Sequence, residues 1–128
     1  MDPSIWGPHA WIFLHSITFN YPNKPSPVQE KSAINFFNSL RYLLPCSICK
    51  DNYENHLIKN PIKDNVKSKK DLIKWLIDIH NHVNLTLGKP IVSSKTITHN
   101  PLIRHTNYST DIVNILFLLL LLLLIRFT

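Results

Sequence analysis

No stretch of this chain alternates apolar and polar residues for long enough to make a sheet, while apolar residues recur at helical spacing in one segment after another. That pattern confines the fold to packed helices. The best strand candidate, Thr96-Ile97-Thr98, is short and isolated. Prolines and caps then set the helix boundaries. The first periodic segment, Ile5 to Phe19, carries Trp6, Ala10, Trp11, Phe13, Leu14 and Ile17, and Pro22 and Pro25 forbid its continuation. Ser26, Pro27 and Gln29 read as N-cap, first helical residue and capping-box partner of a second helix. That helix runs to about Leu44 and is expected to bury Val28, Ala33, Ile34, Phe37, Leu40 and Leu43 or Leu44 before Pro45 ends it. A third helix begins at the cysteines and continues through Leu57 and Ile58, and Asn60 to Ser68 reads as a polar connection. Ser68 with Asp71 opens a fourth helix whose apolar positions are Leu72, Trp75, Leu76, Ile79, Val83 and Leu87; Gly88 and Pro90 end it. The expected fold class is all-α, a small helical bundle.

The 128 residues leave room for one compact domain and a tail. We divide the chain into a helical domain over 1–92, a linker over 93–111 and a membrane anchor over 112–128. The unbroken apolar run from Ile115 to Ile125 is shorter than the roughly 20 residues that cross a bilayer comfortably. Ile112 and Val113 extend it, and Arg126 can snorkel. A buried core helix would need a polar face, which this run lacks. Met1-Asp2-Pro3-Ser4 has no basic region typical of a secretory signal. The net charge of +6 does not mark a nucleic-acid surface, because the lysines between Lys59 and Lys74 are interleaved with Asp64 and Asp71.

The chain has two cysteines, in Cys46-Ser47-Ile48-Cys49. A structural zinc site needs two further ligands, and His80 and His82, two residues apart on a helix, point to nearly opposite sides. No metal is expected. A thioredoxin-like motif needs a strand before the cysteines, but that stretch has helical spacing. Two inert buried cysteines fit poorly between Pro45 and the charged Lys50-Asp51. A redox-active dithiol at a helix start fits best, since free backbone N–H groups and the helix dipole stabilise a thiolate there.

A cycling dithiol needs an electron acceptor. Two histidine- and aromatic-rich segments, Trp6 to His15 and Trp75 to Pro90, could hold one. His80, Asn84 and Leu87 share a helix face that suits a planar heteroaromatic ligand able to stack and hydrogen-bond. Taken in order, W-G-P-x-x-W-x-x-L-H, Y-P, P-C-x-x-C and W-L-x-x-x-H-N-x-V-N-x-x-L-G-K-P resemble the flavin-linked sulfhydryl oxidases of the Erv/Alr family over residues 5–90.

The resemblance implies a four-helix bundle with a short extra helix, bound FAD and a homodimer. It implies that Gly7, Pro8, Trp11, His15 and Tyr21 line one wall of the FAD site. His80, Asn81, Val83, Asn84, Leu87 and Lys89 would form the other, with Lys89 near the phosphates. Cys46 would receive the substrate thiol and Cys49 would pass electrons toward FAD, with dioxygen reduced to hydrogen peroxide. Family members often add a shuttle cysteine pair and a structural disulfide, and this chain has neither. Ile58 and Ile77 stand where the structural pair would be, implying an apolar contact instead. Without a shuttle, the substrate is a protein dithiol that reaches Cys46 directly, such as a thioredoxin-like carrier. The compact layout resembles members encoded by large cytoplasmic DNA viruses, acting in a host membrane or virion. The competing class is a non-enzymatic, tail-anchored helical adaptor.

Overall fold

Asp2 caps the first helix by accepting from the Ser4 N–H at 2.8 Å, and Pro3 takes the first helical position, where its missing N–H costs nothing. In this computed structural model residues 1–100 are described. Four long helices follow one another: α1 (Pro3–Asn20), α2 (Pro27–Leu43), α3 (Ser47–Lys59) and α4 (Lys69–Thr86). A 3-10 turn, Ile62–Asn65, lies between α3 and α4, and a short α5 (Ser94–Thr98) comes last. No strand occurs among the described residues, and Thr96-Ile97-Thr98 belongs to α5, inside the segment expected as linker. Met1–Ser94 forms one compact unit, and the described residues from Lys95 on belong to a second.

Within the first unit α1 packs on α4 and α2 on α3, while the 3-10 turn touches both α2 and α4. Phe37, Leu72, Trp75, Leu76 and Ile79 form the centre of the core. Phe37 and Trp75 meet edge to face with ring centroids 5.1 Å apart, and the Trp75 indole N–H donates to the Asn60 carbonyl at 2.9 Å. The expected capping box of α2 forms: Ser26 accepts from the Gln29 N–H, and Gln29 accepts from the Ser26 N–H.

Three expectations about burial need correction. Val28 is 73% exposed, because nine residues separate it from Phe37 and place it on the opposite side of α2. Of the two alternatives at the end of α2, Leu44, two turns on from Phe37, packs against the core and Leu43 is 71% exposed, as expected of one of the pair. Leu87, past the last turn of α4, is exposed rather than part of the apolar stripe. The connection after Asn60 is not merely polar. Ile62 and Val66 are buried, and the Tyr21 hydroxyl donates to the Val66 carbonyl at 2.9 Å, so this segment plugs the core.

The end of α4 is closed by a Schellman motif. Gly88 adopts φ +64°, Lys89 N–H reaches the Asn84 carbonyl at 2.8 Å, and Gly88 N–H reaches Leu85 at 3.2 Å. Among the described residues no helix is long and apolar enough to cross a membrane. The expected anchor, 112–128, lies outside those residues.

Candidate active site

Pro45 stops α2 and Cys46 starts α3 as its N-cap, with its Sγ accepting from the Cys49 N–H at 3.2 Å. The two cysteines form a disulfide with Cα atoms 5.1 Å apart, and both are half-buried. When the bond opens, Cys46 Sγ stays at the helix N-terminus, where that N–H and the dipole favour its thiolate. The Met1 nitrogen donates to the Pro45 carbonyl at 3.0 Å, which brings the start of α1 to this α2–α3 junction.

A second constellation joins α1 to α4. His80 stacks on Trp11 with centroids 3.9 Å apart and planes 6° from parallel, and a hydrogen bond of 2.9 Å links its Nδ1 to His15 Nε2. His15 is buried, and burial together with the neighbouring His80 pulls its pKa down from 6.5 to about 3. Burial, then the Lys89 charge, lowers His80 to about 4. Both imidazoles are therefore neutral at pH 7, and the Lys89 ammonium acts within electrostatic reach of His80. His82 faces elsewhere, meeting His56 of α3 edge to face at 4.1 Å, as its two-residue offset from His80 requires.

The sign of the resulting pH dependence follows directly. The unfolded chain protonates His15 and His80 near 6.5, while the folded chain resists protonation until about 3 and 4. Stability is thus complete above pH 6.5 and falls as the pH drops below it. For the buried His15 alone we expect a loss of about 2 kcal/mol between pH 7 and pH 5, and the less buried His80 adds to it. Denaturant titration of the cofactor-free protein at the two pH values measures it. His56, also lowered by burial, adds in the same direction.

The structure brings Trp11, His15 and His80 together, with Lys89 nearby in charge. Gly7 and Pro8 lie one turn earlier on α1; Pro8 interrupts the helical hydrogen bonding, and a side chain added at Gly7 would meet open space. Asn81 and Asn84 have an additional structural duty. The Asn81 amide clasps Val92 at both N–H and carbonyl (2.7 and 2.9 Å), and Asn84 Nδ2 donates to the Pro90 carbonyl at 3.1 Å. They fold the segment after α4 back along it. Val83 is half-buried, and Leu87 and Lys89 are exposed. Tyr21 is placed differently, buried with the core and with its hydroxyl committed to Val66. Ile77 is buried, but Ile58 is exposed, so the expected apolar stand-in for a structural disulfide has no buried Ile58.

Among the described residues three buried side-chain nitrogens have no hydrogen-bond partner, Trp6 Nε1, His15 Nδ1 and Arg41 Nε, and the first two lie on α1. Each such group costs roughly 1–3 kcal/mol until something pairs with it. Trp6 was not among the residues the sequence singled out for the site. Its place at the head of the W-G-P motif, one residue before Gly7, is the signal that points to it.

Comparison with known proteins shows the family. The family model described as Erv1 / Alr family matches residues 8–101. A probable FAD-linked sulfhydryl oxidase of Acanthamoeba polyphaga mimivirus is 44% identical over 94 residues, spanning 73% of this chain and 66% of that protein. An FAD-linked sulfhydryl oxidase of African swine fever virus is 32% identical over 88 residues, 69% of this chain and 72% of that protein. Among solved structures, the FAD binding domain of Erv1 from Saccharomyces cerevisiae superposes with a TM-score of 0.71 at 30% identity, covering 77% of this chain and 91% of that one. The chain belongs to the Erv1 / Alr family.

Proposed function

We propose that this chain is an FAD-linked sulfhydryl oxidase that makes disulfides in protein substrates. The observation that carries the reading is the Cys46–Cys49 disulfide at the N-terminus of α3 within an Erv1 / Alr fold. The other half of the site fits a flavin nucleotide. The unpaired His15 Nδ1 and Trp6 Nε1 offer hydrogen bonds, Trp11 and His80 offer flat faces, and Lys89 offers a charge for phosphate. In this reading Gly7, Pro8, Trp11 and His15 contact FAD from α1, and His80, Val83, Asn84, Leu87 and Lys89 contact it from α4 and its C-terminal turn. Asn81 supports that second wall by holding Val92. Tyr21 contributes through the packing of the α1–α2 loop.

The protein's own residues perform the thiol chemistry. A substrate thiolate attacks Cys46 Sγ, the Cys46–Cys49 bond breaks, and Cys49 leaves as a thiolate. A second substrate thiolate then attacks the substrate sulfur of the mixed disulfide. Cys46 departs, stabilised by the Cys49 N–H, so the substrate loses two electrons and two protons to the pair. Bound FAD supplies the two-electron chemistry that carries this pair on to dioxygen, giving hydrogen peroxide.

The viral relatives support a virus-encoded enzyme. The apolar run Ile115 to Ile125 supports a C-terminal membrane anchor after an oxidase domain of residues 1–92. Exposed Ile5 and Phe13 on α1 leave apolar surface for the homodimer expected from the family resemblance. Dithiothreitol added to the purified full-length chain should drive oxygen uptake, with one peroxide formed per dithiol oxidised. A folded protein that consumes no oxygen overturns the reading.

A further inference from the structure

Seven consecutive residues around the disulfide carry three exposed apolar side chains. Tyr42 and Leu43 stand 64% and 71% exposed on the last turn of α2, and Ile48 stands 70% exposed on the first turn of α3. Nothing in the fold requires this. Leu44 already supplies the apolar contact with the core at this corner, and Ile48 shares its helix turn with the polar Ser47 and Lys50. Exposed apolar groups beside a reactive group mark a place where a partner is received.

We propose that Tyr42, Leu43 and Ile48 form a docking collar for the apolar flank of a protein dithiol. The substrate class is then a polypeptide whose cysteines sit among apolar residues, in preference to a small or charged thiol. This rests on the sulfhydryl-oxidase reading. The occupant must carry a thiolate, because the disulfide lies within the collar. A second copy of the chain seated permanently on this surface would cover Cys46 and stop every turnover. The charges nearby favour an apolar partner. Arg41 is paired with Glu54 at 3.7 Å and lies over the Tyr42 ring at 4.8 Å, and Lys50 is followed directly by Asp51. The Met1 ammonium on the Pro45 carbonyl is exposed and screened by solvent, so the contacts here that can select a partner are chiefly the apolar ones. Arg41 also holds the Tyr42 ring, which lowers the cost of ordering it on contact.

The test uses the full-length chain in detergent with three substrates: dithiothreitol, a peptide with Cys-x-x-Cys flanked by leucine and valine, and the same peptide flanked by glutamate. The apolar peptide should show a kcat/KM about tenfold above the acidic one. Leu43→Glu and Leu43→Lys should each remove about tenfold from the apolar peptide, the effect of exposing one apolar contact to charge, and leave dithiothreitol turnover unchanged. Ile48→Gln should act in the same direction. Equal rates for the two peptides, or variants that slow neither, overturn the collar while the oxidase stands. A gain with Leu43→Lys on the acidic peptide larger than its loss on the apolar one also overturns it, since recognition would then be by charge. No dithiothreitol turnover by the unaltered chain removes the oxidase reading and the collar together.

Discussion

Cys49→Ser should leave a folded protein whose turnover has fallen by at least about a thousandfold, equivalent to ~4 kcal/mol of barrier. The fold survives because neither cysteine belongs to the core around Phe37, Trp75 and Ile79, and the disulfide closes a loop of only three residues' separation. So short a loop removes little entropy from the unfolded chain. The cap survives too, since the group donated to Cys46 Sγ is the backbone N–H of residue 49, which serine retains. What disappears is the sulfur that must leave when a substrate thiolate attacks Cys46, and with it the route for electrons out of the substrate. Cys46 is left as a single thiol favoured in its thiolate form. An activated substrate disulfide should therefore be captured on Cys46 as a mixed disulfide that nothing resolves, visible by intact mass. Peroxide production with dithiothreitol checks the loss. Retained turnover would mean that the dithiol has been misassigned.

The second large effect concerns the core. Trp75→Ala should destabilise the domain by ~3–5 kcal/mol, a large share of the ~5–15 kcal/mol typical of a domain. Trp75 is almost fully buried, stacks edge to face on Phe37 and anchors the segment after α3 through the Asn60 carbonyl. Truncation leaves a cavity between α2, α4 and the 3-10 turn and removes the partner of that carbonyl. Trp75→Phe keeps most of the ring contact and loses the hydrogen bond, so it should cost only about 1–2 kcal/mol. Urea denaturation followed by helical circular dichroism ranks the two. A midpoint for Trp75→Ala equal to the unaltered chain's would show that the core is not organised around this residue.

Helix boundaries were legible because their causes are local. Ser26 with Gln29, Ser68 with Asp71, Pro45 before Cys46 and Gly88 after α4 each act within a few residues. Burial was legible only where the angular arithmetic was respected. The apolar character of Val28 suggests the core, although it lies half a turn away from Phe37 on α2. Ile62 and Val66 carried no periodic signal, because a 3-10 turn places them inward only through Tyr21 and the neighbouring helices. The candidate site shows the same division. The motifs named Trp11, His15 and His80, and the fold joins them by a stack and a hydrogen bond. The clasp of Asn81 on Val92 was not legible, since it depends on a chain reversal eleven residues later. Trp6 was visible in the sequence, but only the unpaired indole nitrogen separates it from an ordinary core tryptophan.

Visible absorption of the purified full-length chain, titrated with dithiothreitol in the absence of oxygen, tests the central claim most directly. The account predicts a flavin band at about 450 nm that bleaches as Cys46 and Cys49 are reduced and returns when oxygen is admitted. A helical, cooperatively folded protein without colour, or with a band that dithiol leaves unchanged, would contradict it.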